Sequence, residues 1–200
     1  VYTLDANTKA GNYEITTSTG TVKMSPRVIA LTSPTKSKNY DGSPLTFTAD
    51  EVAISGDGYA AGEAFSLGDF ASITEAGRKD AAFSVSDGTA LMADYTITTV
   101  SGVLTVMKSA TEITVTAKSG SWVYDGEEHV LHEYAATNLD VLQPGDELEA
   151  TFSGESVVAR PTDGPAQDGL VENAISSVKV IRNGVDDVTA NYTLAAYDGT

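Results

Sequence analysis

Two histidines stand three residues apart in Glu-Glu-His-Val-Leu-His-Glu, residues 127–133, among three carboxylates. On a helix, His129 and His132 would share a face and could bind zinc with a neighbouring carboxylate. On a strand, residues three apart point to opposite faces. The surrounding sequence reads as strand, so the expectation is a solvated strand and no metal centre. Aspartates and glycines recur in two loop-like stretches, SGDGYAAGE (55–63) and PTDGPAQDG (161–169). Calcium requires six or more closely spaced oxygens. Asp57, Asp163 and Asp168 are the residues that would supply them, but neither stretch has the acidic ladder of an EF-hand. Turn residues facing water are therefore expected, and no cofactor, with calcium the one ion that has any candidate ligands.

A Tyr-Asp-Gly triplet occurs at Tyr40-Asp41-Gly42 and again at Tyr124-Asp125-Gly126. Acid–base catalysis by Asp41 or Asp125 would need a positioned second carboxylate or histidine. Neither triplet has one in its pattern, so the chain is not expected to be an enzyme. Asp-Gly suits a turn or bulge, because Asp bonds to nearby backbone and Gly takes left-handed angles. The tyrosine ring enters the core while its hydroxyl reaches the edge. Lys108 or Lys118 facing Asn191 would be the pair for a Lys–Asn cross-link. The first repeat has Asp94 at the place of Asn191, so no such bond is expected as a general feature. Asn191-Tyr192-Thr193 also matches a glycosylation sequon, read here as an accident of strand sequence. Trp122 is the one side chain suited to stack on a sugar ring, and partial burial between repeats is the plainer expectation.

These residues sit within a repeat. GNYEITTSTGTVKM (11–24), ADYTITTVSGVLTVM (93–107) and ANYTLAAYDGT (190–200) align on Tyr13, Tyr95 and Tyr192, each with an aliphatic residue two places on. Glycines follow at Gly20, Gly102 and Gly199. Each copy reads as a hairpin, with Ser101-Gly102 as a two-residue turn whose glycine supplies positive φ. The triplets fall between the hairpins, 27 residues after Tyr13 and 29 after Tyr95. Residues 1–24 are thus expected to end a preceding repeat, with modules at 25–107 and 108–200. The second module lacks a counterpart of Val103–Val106 after Gly199. The missing strand lies beyond residue 200, or residues 1–24 replace it between molecules. The second module is also longer, by an exposed loop at 159–170 rich in Pro, Gly and Asp.

Period-two alternation dominates the chain, as in Glu112–Lys118, where Ile113, Val115 and Ala117 share a face. Val, Ile, Thr and Tyr are abundant, and short strands are punctuated by Ser-Gly, Thr-Gly and Asp-Gly pairs. Tyr95 with Ile97 is expected to face inward. The predicted fold is all-β, as tandem small Ig-like β-sandwiches. The alternative is a β-grasp-like module with one short helix, for which Thr48–Ile54 is the candidate. Joints such as Met107–Thr111, without Gly or Pro, are expected to limit bending.

Composition narrows the partners. The 200 residues carry 12 Lys+Arg against 28 Asp+Glu, a formal net charge of −16. Such a polyanion repels nucleic acid and anionic lipid. There is no cysteine, which removes disulfides, thiol catalysis and thioester cross-links together. No signal peptide, sorting tail or apolar run of membrane-spanning length is present, so any address signal is expected outside these residues.

The two triplets, the closing Asp94–Thr98 and Asn191–Leu194 segments and the strand entries VLTVMK (103–108) and EITVTAK (112–118) resemble the MBG/YDG-type repeats of large bacterial surface proteins. The likeness covers nearly the whole chain through short, turn-rich motifs. The enlarged 159–170 loop and the weak entry strand RVIALTS (27–33) depart from it. The resemblance implies an extracellular location on the bacterial surface or cell wall, in an adhesin-like protein. It implies no catalytic residues. The chief expectation is a stalk module whose partners are neighbouring repeats. A module binding host glycans or mucus glycoproteins, through Trp122 and the 159–170 loop, is the second. A non-catalytic part of a secreted polysaccharide-degrading enzyme is the third.

Overall fold

A computed structural model describes residues 5–7, 9–12, 14, 16, 18–123, 129–153 and 173–199. The described residues form an all-β chain whose only helical elements are single 3-10 turns. The strand β1 (Arg27–Thr32) is central in its sheet. It pairs antiparallel with β3 (Ala53–Gly56) and parallel with β7 (Tyr95–Val100). In the second repeat, β9 (Glu112–Ala117) likewise pairs antiparallel with β10 (Tyr134–Thr137) and parallel with β14 (Thr193–Tyr197). Registers agree: Ile29 lies opposite Ile97, and Ile113 opposite Leu194. The reason is the alternation in each central strand. Ile29 and Leu31 in β1, and Ile113 and Val115 in β9, are fully buried, and a one-residue slip would turn them to water. The expected weak entry strand at 27–33 is thus well formed, its two aliphatic side chains placed at the centre of the core.

The antiparallel pair β4 (Ser66–Gly68) and β6 (Ser84–Ser86) has a longer counterpart in β11 (Asp146–Ser153) and β12 (Ala174–Arg182). A third sheet of the first repeat sets β8 (Val103–Met107) between β2 (Lys36–Asn39) and β5 (Gly77–Asp80). A short β13 (Asp186–Asp187) pairs with β12 through the Asn183-Gly184 turn.

Three expectations need correction. First, β7 and β8 are not a hairpin, because they belong to different sheets. Ser101-Gly102 carries the chain from one sheet to the other, and Gly102 does not have positive φ. Its role is close approach: a Cβ there would meet the Pro34 carbonyl, with its carbon at 2.5 Å, and the Ser33 oxygen at 2.7 Å. Gly199 is alike, its Cβ position lying 2.7 Å from the Ala117 oxygen and 2.8 Å from that of Lys118. Second, the helix candidate at 48–54 is one 3-10 turn, Ala49–Glu51, closed by a capping box between Thr48 and Glu51, after which the chain enters β3. Third, the expected strand at 127–133 is reduced, among the described residues, to a single β-bridge at His129, with 130–133 in no strand and β10 beginning at Tyr134; residues 127 and 128 lie outside the described residues.

A 3-10 turn precedes each repeat tyrosine: Ala10–Asn12, Met92–Asp94 and Thr189–Asn191. Tyr95 and Tyr192 are buried, and Ile97 and Leu194 pack against the core beside them.

Candidate functional site at the junction of the two repeats

The tyrosine hydroxyls explain why Gly62 and Gly145 recur in register. Ala60–Glu63 and Gln143–Asp146 are tight turns, each closed by a hydrogen bond from the last amide to the first carbonyl. Both have a glycine at positive φ in the third place, the position a type II turn reserves for it. The Tyr95 hydroxyl accepts from the Ala60 amide at 2.9 Å and donates to the Glu63 carboxylate at 2.6 Å. The Tyr192 hydroxyl accepts from the Gln143 amide at 3.0 Å and donates to Asp146 at 2.6 Å. The latch is therefore tyrosine plus a Gly-acid pair. The sequence signal was available, since an acid directly follows the glycine at both Gly62-Glu63 and Gly145-Asp146.

The second copy of the latch extends across the junction. Arg182, at the end of β12, donates to both Asp146 oxygens, at 2.7 and 3.1 Å. It reaches the first repeat as well, donating to the Tyr40 hydroxyl at 2.5 Å and to Glu75 at 2.8 Å. Asn191 accepts from the Ala76 amide at 2.7 Å and donates to Glu75. The rings of Tyr40 and Tyr192 meet edge to face, 5.4 Å apart at 80°, a favourable arrangement for aromatic quadrupoles. Gly42 leaves room for Gln143, whose Cδ would lie 2.9 Å from a Cβ at that position. Among the described residues, no buried side-chain nitrogen or oxygen lacks a partner, so this network meets the condition under which buried polar groups specify one arrangement.

The peptide between the repeats is fixed too. The Tyr40 amide donates to Met107, and the Asn39 side chain to the Lys108 carbonyl. Ser109 is buried; its amide donates to the Asn191 carbonyl, and its hydroxyl accepts from the Thr193 amide.

Electrostatics follow this geometry. Burial pushes the Asp146 carboxyl up, but hydrogen bonds from Arg182 and Tyr192 outweigh it and hold the group below the usual carboxylate range. The hydrogen bonds to Asp146 and Glu75 raise Arg182 further above its ordinary value. Burial first, then the Asp146 hydrogen bond, raises Tyr192; burial and the charge of Glu75 raise Tyr40. A depressed carboxyl contributes stability that is present above the ordinary pKa of 3.8 and is lost as pH falls through the folded value. A raised phenol contributes stability that is present below 10.0 and is lost as pH rises above it. A melting-temperature profile should accordingly be flat near neutrality, fall below pH 3.8 and fall above pH 10. Tyr192→Phe should flatten the alkaline limb.

Tyr192→Phe should also cost about 1–3 kcal/mol in urea unfolding, because it strips a donor from a buried carboxylate. Tyr95→Phe should cost less, because Glu63 is only partly buried.

The triplet of the first repeat divides its work. Tyr40 belongs to the junction. Asp41 is exposed; its carboxylate accepts from Lys38 at 2.5 Å and from the Ser43 amide and hydroxyl at 2.9 and 2.7 Å. These bonds, Lys38 first, hold it well below the usual carboxylate range, and Gly42 provides positive φ. Asp41 is thus a turn-forming residue. Tyr124, Asp125, Gly126, Asp163 and Asp168, the 159–170 loop and Tyr13 lie outside the described residues.

Other candidates are placed as follows. Asp57 accepts from the Val28 amide at 2.8 Å, joining the end of β3 to β1. Trp122 takes no part in this junction; it is 51 % exposed and stacks on His129 at 5.1 Å. His132 stacks on Phe152 at 5.3 Å, so each imidazole is engaged by a different ring. Lys118 pairs with Glu133, while Asn191 is buried and held at both ends of its amide by Glu75 and Ala76. Its side chain thus faces Glu75 and Ala76 of the other repeat. No family model, curated protein or solved structure matches the chain.

Proposed function

We propose that the chain is a pair of tandem structural modules, spanning 25–107 and 108–200, from the stalk of a bacterial cell-surface, adhesin-like protein. Its task is to hold a more distal domain away from the cell at a set angle. The supporting observation is the junction: Arg182, Asn191 and Tyr192 of one repeat engage Tyr40, Glu75 and Ala76 of the other through charged, amide and aromatic contacts at once. A spacer needs such a joint, because a flexible link shortens its mean reach. The MBG/YDG resemblance suggests the extracellular setting, and a net charge of −16 suits a solvated surface. The half-exposed Trp122 supports the second reading, a glycan contact, because aromatic faces stack on sugars.

Arrays of host glycans and mucin glycopeptides, with the 200-residue protein at up to millimolar concentration, separate the two. The stalk reading expects no binding. Saturable binding that Trp122→Ala abolishes would replace it with the glycan-binding reading.

A further inference from the structure

We propose that the paired segments 27–39 and 95–107 form a force-bearing clamp, which resists tension along the chain far better than tension that peels the two segments apart from one end. The inference goes beyond the stalk role and needs only the strand pairing. β1 and β7 run parallel, with Arg27 opposite Tyr95 and Thr32 opposite Val100. β2 and β8 also run parallel, with Lys36 opposite Leu104 and Asn39 opposite Met107. Both pairings keep one offset of 68 residues, from 27 to 95 and from 36 to 104. The two segments therefore cross from one sheet to the other side by side, as one continuous pair. The crossing is itself bonded. The Ser33 amide donates to the Val100 carbonyl at 3.0 Å, the Gly102 amide to the Ser33 hydroxyl at 3.0 Å and the Val103 amide to the Thr35 hydroxyl at 3.2 Å. At the far end the Tyr40 amide donates to the Met107 carbonyl at 2.8 Å. The close approach of Gly102 to the Ser33 and Pro34 carbonyls keeps the segments adjacent through the crossing.

In a parallel pair the start of one segment and the end of the other lie at opposite ends. Tension enters this pair at the Arg27 end of β1 and leaves at the Met107 end of β8, so it slides one segment along the other. Ladder hydrogen bonds run across the strands. Sliding loads them together, whereas separation from one end breaks them one at a time. A single bond contributes little net stability, so the sharing of load is what makes the pair strong. Ile29, Leu31, Leu104 and Val106 back the pair from the core side, each at most 2 % exposed, and hinder water from replacing the bonds as they stretch. The second repeat takes load in the same way. β14 runs parallel to β9, from Thr193 opposite Glu112 to Tyr197 opposite Thr116. Just ahead of them the Ser109 amide donates to the Asn191 carbonyl at 2.8 Å. The exit of the first clamp at Met107 thus adjoins the entry of the second at Ser109, and tension along the chain shears the two in series.

The chain contains no cysteine, so two introduced thiols define a pulling axis. Ser25→Cys with Lys108→Cys puts the handles at opposite ends of the pair, and Ser25→Cys with Asp94→Cys puts them at the same end. All three positions are exposed, and the folded contacts are the same in both variants, so only the direction of force differs. Forced unfolding reads the unfolding rate along that direction rather than equilibrium stability. With DNA handles on the full chain in optical tweezers, the 25–108 axis should rupture in one step. That step should release about 250 Å, from the 83 residues between the handles at roughly 3.3–3.6 Å each, less their folded span. At the same loading rate it should need several-fold more force than the 25–94 axis. Equal forces along the two axes, a lower force along 25–108, or gradual yielding along 25–108 would each overturn the proposal. The stalk reading would stand in all three cases.

Discussion

Arg182→Ala should destabilise the protein by about 3 kcal/mol in urea unfolding, because it leaves the Asp146 carboxylate in the interior without its cation. The Asp146 side chain is fully buried, and Arg182 is only a quarter exposed. The Coulomb attraction itself decides little here, since desolvation offsets most of it. What matters is the asymmetry: removal of one partner strands the other in a medium where its charge is poorly solvated. The same substitution removes the donors to Glu75 and Tyr40, so the variant should also lose the defined angle between repeats. Glu75→Gln should cost under about 1 kcal/mol, since that carboxylate is half exposed and exposed ion pairs contribute little. Equal losses from the two variants would mean that burial of Asp146 is not what gives the pair its weight.

Gly102→Ala should cost about 3 kcal/mol or more, the upper range for overpacking. The new methyl would collide with the Ser33 and Pro34 carbonyls. Those are backbone atoms, so relief requires displacement of the segment that links β1 to β2. Two other glycines calibrate the effect. Gly62→Ala meets no neighbour within 4 Å but has φ of +81°, and should cost about 1–2 kcal/mol from left-handed backbone strain. Gly20→Ala has neither problem and should leave unfolding of the isolated chain unchanged. Thermal and urea unfolding of the three variants should give the order Gly102, Gly62, Gly20.

The strands and their repetition were legible because they follow from local pattern. Alternation at Ile29-Leu31 and Ile113-Val115 marks a strand with one buried face, and the recurrence of Tyr95 and Tyr192 marks the same point in two copies. The role of Gly102 is not legible in the sequence, because sequence alone does not separate two uses of glycine. Positive φ and close backbone approach ask for the same residue, and only the positions of Pro34 and Ala117 tell them apart. Between His129 and Glu133 the two imidazoles stack on Trp122 and Phe152, rings that sequence spacing does not connect to them. The junction was invisible for a different reason. Arg182 lies 107 residues from Glu75 and 142 from Tyr40, and an arginine at a strand end carries no local sign of its partners. The hydrogen-bond partners of Asn191, Glu75 and Ala76, likewise come from the distant repeat.

The account rests on a fixed joint between the repeats, held by Arg182, Asp146, Tyr40 and Tyr192. Its most direct test is the distance distribution between spin labels at Thr99→Cys and Glu149→Cys, exposed positions in the two repeats, measured by pulsed dipolar spectroscopy. One narrow peak in the parent chain, broadened by Arg182→Ala, is the predicted result. A broad distribution in the parent chain, indifferent to Arg182, would contradict it.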